Sequence, residues 1–353
     1  MAPARIGIVG LGMMGRAHLG ALLRAPNAVA VAVADPANEA GHHAESLGVK
    51  HYSHYADMLE REALDGVLIA VPNADHHIVG MACIERGIAV LIEKPIAESD
   101  EAARKLCDSA ARRDVPILVG HHRRHNPAVR MVRKAVEDGL IGTPTVANIL
   151  DIKLKPDSYF TTRWRTQPPA GGPVLLNMIH EIDILRYVFG EIASLQAFTS
   201  DRTRRLGVED TASVMLRFEN GAIGTMLVSD CAATPFSWDL ASGEFDLITG
   251  MTGRMKRQDV PTHIFGGTHG AVTLPSAQYF NYRGAEEPGW RADLNQQSLG
   301  AERIDTYLAQ MTHFAKVALR QEAPLSSGVD AAKTLRATLA VKESAESGKE
   351  ITF

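Results

Sequence analysis

The glycine-rich segment Gly10-Leu11-Gly12-Met13-Met14-Gly15 constrains the fold of this chain more than any other feature. It follows an apolar run from Ile6 to Val9 and precedes a helical pattern. In a strand-turn-helix unit, the first glycine of such a segment allows a tight turn, the second lets the backbone approach a pyrophosphate, and the third permits close helix-strand packing. The start of the helix favours an anion. We therefore predict a dinucleotide site that includes Gly10, Gly12, Met13, Met14 and Gly15.

Asp35 indicates which dinucleotide is bound. It lies 20 residues after Gly15, directly after the second apolar run, where a carboxylate can accept hydrogen bonds from both ribose hydroxyls. The same carboxylate would repel a 2′-phosphate, and the following Pro36-Ala37-Asn38 offers no arginine to neutralise one. The sequence therefore predicts NAD as the cofactor in preference to NADP.

Residues 4–119 alternate short apolar runs with helical patterns, which is typical of βαβ units around a parallel sheet buried on both faces. One of the helices is expected to begin after Ser99, whose hydroxyl can cap it. We predict an N-terminal Rossmann domain of the α/β class over residues 1–124. Its predicted strands are Ile6–Val9, Val29–Ala34, Val49–Tyr52, Gly66–Val71, Ile88–Ile92 and Pro116–Val119.

Residues 125–353 have a different pattern, in which no crossover helices separate the later strands. Glu219-Asn220-Gly221 predicts a hairpin turn between two of them. We therefore expect an α+β domain with a large, mostly antiparallel open sheet and helices on one face. The predicted strands are Val146–Ile152, Leu195–Ser200, Ser213–Phe218, Ala222–Ser229, Glu244–Thr249 and Gly270–Leu274.

Charge and cysteine content exclude several classes of function. Lysine and arginine number 37 against 41 aspartates and glutamates, and this net charge of −4 offers no footprint for nucleic acid or an anionic membrane. The three cysteines form no CxxC pair, which argues against a disulfide framework. No apolar run reaches the roughly 18 residues of a membrane span, and the N-terminus lacks a signal-peptide pattern. We expect a cytoplasmic protein.

Two polar segments follow predicted parallel strands, at the sheet edge where open α/β folds bind their ligands. They are Val71-Pro72-Asn73-Ala74-Asp75-His76-His77 and Glu93-Lys94-Pro95. Together with the glycine segment they resemble the Gfo/Idh/MocA family, named for glucose-fructose oxidoreductase and inositol dehydrogenase. The resemblance covers nearly the whole chain, because it continues through residues 120–127, Trp164-Arg165, residues 171–183 and residues 327–353.

The resemblance implies a pyridine-nucleotide dehydrogenase or reductase that acts on a sugar, a cyclitol or a related polyol. It places Lys94 beside the nicotinamide and the substrate hydroxyl. Removal of a hydride from a carbinol leaves a developing oxocarbenium unless the hydroxyl proton also departs, so a base is needed. Desolvation can lower the pKa of a buried lysine and fit it for this proton transfer. Without the resemblance, the alternative is a structural ion pair between Lys94 and Glu93.

Further cofactor contacts are expected in these motifs. Besides the glycine segment and Asp35, they are Pro72, Asn73, His76, Glu93, Lys94, Arg123, Trp164 and Arg165. For Trp164 the alternative is an exposed loop tryptophan. The run of histidines and arginines at residues 121–125 has the density of a metal site, but adjacent arginines would repel a divalent cation and no carboxylate completes the set. We predict no metal.

The segment from Asn177 to Tyr187 predicts a helix that ends at Gly190. Spacings of three bring Asn177, His180 and Asp183 within about a third of a turn of one another. A single histidine on such a helix is more often a packed core residue, but the His-x-x-Asp pattern of the resembling family favours a catalytic His180 that assists Lys94. The predicted substrate contacts are Lys94, His122, Tyr159, Asn177, His180 and Asp183.

One position departs from the resembling dehydrogenases. Many of them carry a carboxylate four residues before this histidine, where this chain has Leu176. Either Asn177 and Asp183 supply the missing polar contacts, or the pocket is less polar and takes a different substrate.

The sequence thus favours an NAD-dependent oxidoreductase that transfers a hydride between nicotinamide and a secondary alcohol or ketone of a small sugar-like molecule. Two alternatives stay open. One is a glycosidase that uses bound NAD for transient oxidation, and the other is a non-catalytic NAD-binding regulator with the same fold. From the resemblance we also expect a homodimer or homotetramer formed through the outer face of the second sheet.

Overall fold

The computed structural model describes residues 2–244 and 256–353, which form two compact units. The first unit comprises the chain up to His122 together with Asp305–Leu335, and the second comprises Arg123–Ile304 with Arg336–Phe353. The expected boundary after residue 124 lies two residues from the observed one. Residues 305–335 were expected in the second domain, whereas this segment returns to the first unit.

The strands of the described chain are β1 (Ala4–Val9), β2 (Ala28–Ala34), β3 (Lys50–Tyr52), β4 (Gly66–Ile69), β5 (Ala89–Ile92), β6 (Ile117–Val119), β7 (Pro144–Ile152), β8 (Ile192–Ser200), β9 (Thr211–Phe218), β10 (Ile223–Ser229), β11 (His263–Gly267), β12 (Gly270–Leu274), β13 (Gln278–Asn281), β14 (Asn295–Ser298) and β15 (Ile351–Thr352). The α-helices are α1 (Met13–Leu22), α2 (Asn38–Ser46), α3 (Tyr55–Arg61), α4 (His76–Ile84), α5 (Asp100–Arg113), α6 (Pro127–Glu137), α7 (Ile179–Phe189), α8 (Trp238–Ser242), α9 (Thr306–Ala318) and α10 (Gly328–Ser347).

The first unit is built on a six-stranded sheet in the order β3-β2-β1-β4-β5-β6, and every neighbouring pair is parallel. This is the strand order of a doubly wound dinucleotide-binding fold, so the predicted Rossmann domain is confirmed. Every residue of β4 and β5 is buried, as expected for central parallel strands covered by helices on both faces. The hydroxyl of Ser99 accepts a hydrogen bond from the backbone N–H of Ala102 and caps α5 as predicted.

The second unit is built on a nine-stranded sheet in the order β14-β13-β12-β11-β7-β10-β9-β8-β15. Within the described ranges, β7 and β10 pair in parallel and the other neighbours are antiparallel, which confirms a mostly antiparallel sheet. The predicted hairpin joins β9 to β10, and Gly221 at its turn has a φ of 87°. One face packs on α6 and α7, where Val132, Ile149 and Ile182 belong to one buried cluster.

Four strands of this sheet lacked a sequence signal, and one of them, β15, has only two residues. β11 ends in two glycines, and the four residues of β14 are polar and exposed, so neither shows apolar alternation. The short β13 lies between two turns. The strand predicted over Glu244–Thr249 lies, beyond Glu244, outside the described residues. Among the helices of the described ranges, none has the length and apolar character needed to cross a membrane.

Candidate active site

The glycine turn at the end of β1 has the geometry that a bound pyrophosphate requires. Gly10 has a φ of 90°, and a Cβ atom there would lie 2.6 Å from the carbonyl oxygen of Ala70. A Cβ atom on Gly15 would lie 2.0 Å from the carbonyl oxygen of Gly10, so helix α1 packs too closely for any side chain. At Gly12 nothing lies within 4 Å of a Cβ position, which leaves room for a ligand. The three positions therefore fit the turn, packing and ligand-approach roles.

The N-terminus of α1 fits an anion. Its N-cap is Gly12, which makes no side-chain capping hydrogen bond, and the first turn contains no acidic residue. Met13 is largely exposed beside it. The first N–H groups and the positive end of the helix dipole are thus available to the phosphates of a dinucleotide.

Asp35 lies beside this turn. Its Oδ2 accepts a hydrogen bond of 2.7 Å from the backbone N–H of Leu11, and its Oδ1 accepts one of 2.9 Å from the N–H of Ala37. These contacts fix the carboxylate at the carboxyl end of β2. Each oxygen keeps a further lone pair for the hydroxyls of a ribose.

His76 connects the two polar segments of the first unit. Its Nδ1 lies 2.7 Å from the carbonyl oxygen of Pro95, and its Nε2 lies 3.0 Å from that of Val71. The ring is buried, and burial lowers its pKa, which favours the neutral imidazole. Because both nitrogens face protein carbonyls, we now give His76 a positioning role in place of the expected cofactor contact.

Glu93 is likewise directed into the first unit. Its Oε1 lies 2.5 Å from Nε2 of His18 on α1, and its Oε2 accepts a hydrogen bond from the backbone N–H of Lys94. Burial raises the pKa of the Glu93 carboxyl, but the hydrogen bond with His18 and the charge of Lys94 outweigh it and bring the pKa to about 2. The expected cofactor contact of Glu93 gives way to the positioning of Lys94.

Sequence reasoning missed Tyr307 on α9. Its ring centroid lies 4.7 Å from that of His18 and 4.7 Å from that of His122. The segment of residues 305–335 therefore packs against His18, the side-chain partner of Glu93. Tyr307 is separated from its partners by most of the chain, so no local pattern could indicate the contact.

In the second unit, Asn177 and His180 lie where a π-helix gives way to an α-helix. Residues Val174–Met178 form the π-helix, and His180 is the second residue of α7. Such π-helical turns occur frequently at functional sites. The α-helical spacing expected between Asn177 and His180 does not apply across this junction. Asn177 accepts a hydrogen bond of 2.7 Å from Nζ of Lys155, a residue that the sequence analysis did not select.

Asp183 pairs with Arg124, whereas we expected it to contact the substrate. Its two carboxylate oxygens accept hydrogen bonds of 2.6 and 2.9 Å from Arg124, and both side chains are buried. The guanidinium of Arg124 also stacks on the ring of Tyr187. A carboxylate held by both oxygens in this way anchors α7, so the substrate contact expected of Asp183 is replaced by a structural role.

Arg123 is also turned inward. Its Nη1 lies 2.5 Å from Oε1 of Glu181, and its guanidinium lies 4.8 Å from the ring centroid of Trp238. The second oxygen of Glu181 lies 2.7 Å from Nε2 of His263. Burial opposes ionisation, but Arg123 and His263 bring the pKa of Glu181 to about 2. Arg123 therefore forms a buried ion pair with Glu181 of α7 in place of the expected cofactor contact.

Tyr159, Trp164 and Arg165 form one cluster with Lys155. The ammonium of Lys155 lies 4.5 Å from the centroid of the Tyr159 ring, and the guanidinium of Arg165 lies 4.1 Å from it. Arg165 also donates a hydrogen bond of 2.9 Å to the carbonyl of Tyr159. Trp164 is 47% exposed and packs on the Arg165 guanidinium. Through Lys155, this cluster contacts Asn177.

Arg204 holds the loop that carries Tyr159. Its Nη2 donates to the carbonyl oxygens of Lys155 at 2.7 Å and Asp230 at 2.6 Å, and its Nε donates to Oδ1 of Asp230. Its guanidinium also covers the ring of Phe160. No local pattern around residues 201–205 indicates these contacts, because the partners of Arg204 lie 26 to 49 residues away in the chain.

A glycine turn and a ribose-type carboxylate, set at the edge of a doubly wound sheet with a lysine after β5, are features of pyridine-nucleotide-dependent oxidoreductases. The comparisons with known proteins narrow this class. Residues 4–121 match a family model described as an oxidoreductase family with an NAD-binding Rossmann fold, and residues 129–254 match the Gfo/Idh/MocA C-terminal domain. The chain belongs to the Gfo/Idh/MocA family of oxidoreductases, and NAD is its cofactor.

Similar proteins include the rhizopine catabolism protein MocA of Rhizobium meliloti, which is 30% identical over 64% of this chain and 70% of its own. The myo-inositol 2-dehydrogenase of Thermotoga maritima is 26% identical over 98% of both chains. Among solved structures, an oxidoreductase from Agrobacterium radiobacter with NAD+, L-tartaric acid and magnesium has a TM-score of 0.82 at 19% identity, covering 99% of this chain and 98% of its own. That likeness confirms the fold.

Proposed function

We propose that this NAD-dependent oxidoreductase acts on a secondary alcohol or ketone of a sugar, cyclitol or related polyol, with Lys94 as the proton-transferring residue. The observation that carries the proposal is the Glu93-Lys94 segment, which follows β5 at the ligand-binding edge of the first sheet and is fixed by the His18–Glu93 contact. Relatives named myo-inositol 2-dehydrogenase and scyllo-inositol 2-dehydrogenase align with 98% of this chain and support the substrate class.

The chemistry divides between the cofactor and the protein. Bound NAD would supply the acceptor for the hydride of the carbinol carbon, and NADH would supply the hydride for the ketone. Lys94 takes the hydroxyl proton in the oxidation and returns it in the reduction. The carboxylate of Glu93 accepts a hydrogen bond from the backbone N–H of Lys94 and holds this residue at the end of β5. The glycine turn and Asp35 would hold the pyrophosphate and the ribose.

His180 is the second residue to which we assign a catalytic role, that of assisting Lys94 through a hydrogen bond to the reacting oxygen. Its neighbours support this assignment. Glu181 is held by Arg123 and Asp183 is held by Arg124, so α7 is anchored directly after His180 and again one turn later. Two buried ion pairs thereby restrict the orientation of the helix that carries the imidazole.

The test is a panel of polyols, cyclitols, aldoses and glycosides incubated with the protein and NAD and followed at the NADH absorbance band. We expect NADH formation with one substrate group and a fall of about 10²- to 10⁴-fold in kcat for Lys94→Ala. Lys134→Ala, an exposed lysine on α6, is the matched control and should keep full activity. NAD binding by calorimetry should persist in Lys94→Ala. Equal activity of Lys94→Ala and the wild type would refute the assignment of Lys94.

We further propose that the protein forms a homo-oligomer through the open face of the second sheet. Five large apolar side chains on this face are 39% to 68% exposed. Pairing brings Val146 beside Ile223, so exposed apolar residues continue from strand to strand. A contiguous apolar patch of this kind marks a protein interface. The five residues are Val146, Phe198, Met215, Ile223 and Ile264.

We also propose that the protein is cytoplasmic. Cys83, Cys107 and Cys231 are all free thiols. Burial raises the pKa of the Cys83 thiol to about 12, which keeps it protonated and unreactive. Free, unreactive cysteines are typical of proteins that work in a reducing compartment.

A further inference from the structure

Lys155 is a buried lysine in the second unit that the proposed chemistry does not yet use. It lies three residues beyond β7, and its backbone N–H donates to the carbonyl oxygen of Asp230 at 2.9 Å. The residue is 8% exposed. Its ammonium donates to Oδ1 of Asn177 at 2.7 Å and faces the ring of Tyr159.

The charge of Lys155 is poorly compensated, as a comparison with Lys153 shows. The ammonium of Lys153 lies 3.1 Å from Asp151 and 2.5 Å from Asp239, and these two carboxylates raise its pKa. The carboxylate nearest to Lys155, that of Asp230, is 3.7 Å away and is shared with Arg204. Among the described residues, the hydrogen-bond acceptor of Lys155 is the neutral amide of Asn177.

The electrostatic consequence is a lowered pKa. Burial and the charge of Lys153 lower the pKa of Lys155 to about 8, and the attraction of Asp230 does not offset them. An ammonium carries three N–H donors, and one of them is used by Asn177. A buried cation in this situation gains from any further oxygen acceptor that reaches it.

We propose that Lys155 is a substrate-binding residue of the second unit and donates a hydrogen bond to a substrate oxygen other than the reacting one. This inference rests on the proposed function, because it names a contact of the same substrate. The ligand chemistry is an oxygen acceptor on a polyol chain or ring, either a hydroxyl or a carboxylate. Lys155 would set substrate affinity, whereas Lys94 carries the proton.

A pH effect on substrate affinity must be assigned to Lys155 rather than to the other titratable groups around it. The pKa of Asp239 is about 2, that of Lys153 is raised above its usual value, and burial raises that of Tyr159 above 10. Burial also raises the pKa values of Asp151 and Asp230. A change of substrate affinity near pH 8 that disappears when Lys155 is replaced therefore reports on Lys155. The charged and titratable groups around it are Asp151, Lys153, Tyr159, Arg165, Arg204, Asp230 and Asp239.

The experiment measures kcat and KM from pH 6.5 to 9.5 for the wild type, Lys155→Met, Lys155→Arg and the control Lys134→Met. At pH 7 we expect KM to rise about 10- to 100-fold in Lys155→Met, the loss of one charged hydrogen bond, with kcat within about threefold. Wild-type KM should rise as the pH passes 8, and Lys155→Arg should remove this rise because its guanidinium stays charged. The control should match the wild type.

A polyol and the corresponding aldonate distinguish the two oxygen sources. If Lys155→Met raises KM equally for both substrates, the contact is with a hydroxyl. If it raises KM more for the aldonate, the contact is with the carboxylate. Unchanged KM in active Lys155→Met would overturn the inference and leave the proposed function intact. If Lys155→Met does not fold, an identical pH dependence of KM in the wild type and Lys155→Arg would overturn it. Absence of NADH formation by the wild type on every substrate would overturn both proposals.

Discussion

The carboxylate of Asp35 accepts a hydrogen bond of 2.7 Å from the backbone N–H of Leu11, within the glycine turn. This contact fixes a negative charge beside the glycine turn, where we propose that the adenosine ribose binds. It fits a cofactor with free ribose hydroxyls and disfavours one with a 2′-phosphate.

Replacement of Asp35 by serine should change the preference between the cofactors. We expect kcat/KM with NAD to fall about 10- to 100-fold, because one charged hydrogen-bonding group is lost. The relative rate with NADP should rise, since repulsion of the 2′-phosphate is removed. Steady-state kinetics with both cofactors test this, with Asp57→Ser, an exposed aspartate on α3, as the control. An unchanged NAD to NADP ratio would contradict the role of Asp35.

The buried pair of Arg124 and Asp183 predicts a large asymmetry between single and double variants. Arg124→Met leaves the Asp183 carboxylate buried without its partner, and we expect a loss of about 3 to 5 kcal/mol in the free energy of unfolding. The double variant Arg124→Met with Asp183→Leu should recover much of this loss, because no lone charge remains. Urea denaturation followed by circular dichroism provides the measurement.

The control for this pair is Glu101–Lys105, an exposed ion pair on α5. Removal of Lys105 should cost at most about 1 kcal/mol. If Asp183 instead contacted substrate, Asp183→Asn would raise KM without changing the free energy of unfolding. That result would restore the role expected from the sequence.

Glu93 predicts a pH dependence of stability. Its pKa of about 2 lies below the usual 4.5, so the carboxylate is favoured in the folded state and stabilises the protein fully above pH 4.5. The contribution, on the order of 3 kcal/mol, is lost as the pH falls from about 4.5 towards 2. The difference in unfolding free energy between the wild type and Glu93→Gln should therefore shrink between pH 6 and pH 3. A difference independent of pH would show that the charge of Glu93 contributes nothing.

Local patterns were sufficient to predict the glycine turn. The backbone geometry at Gly10, the close packing at Gly15 and the position of Asp35 depend on a strand, a turn and a helix that are adjacent in the chain. The parallel sheet followed in the same way from the alternation of apolar runs with helical patterns.

The partners of the buried charged side chains could not be predicted from the sequence. Asp183 and Arg124 are 59 residues apart, and a helix pattern does not reveal whether a carboxylate faces substrate or a buried arginine. The π-helix at Asn177 changes the spacing on which the predicted Asn177-His180-Asp183 face depended. Lys155 and Arg204 lie in irregular segments without periodicity, so their contacts with Asp230 became evident only from the structure.

The open face of the second sheet leads to the last prediction, the assembly of the protein. If this face is the interface between copies, the wild type should sediment as a dimer or tetramer, since a stable interface buries roughly 800 Å² on each partner. Ile223→Glu places a charge beside Val146 at the centre of the apolar face and should shift the protein to smaller species.

The matched control is Ile78→Glu on α4, because Ile78 is 56% exposed like Ile223 but belongs to the first unit. It should leave the sedimentation coefficient unchanged. NAD binding should persist in Ile223→Glu, since the glycine turn and Asp35 lie in the first unit. A monomeric wild type, or equal effects of the two substitutions, would exclude this face as the interface and would require another reason for its exposed Phe198 and Met215.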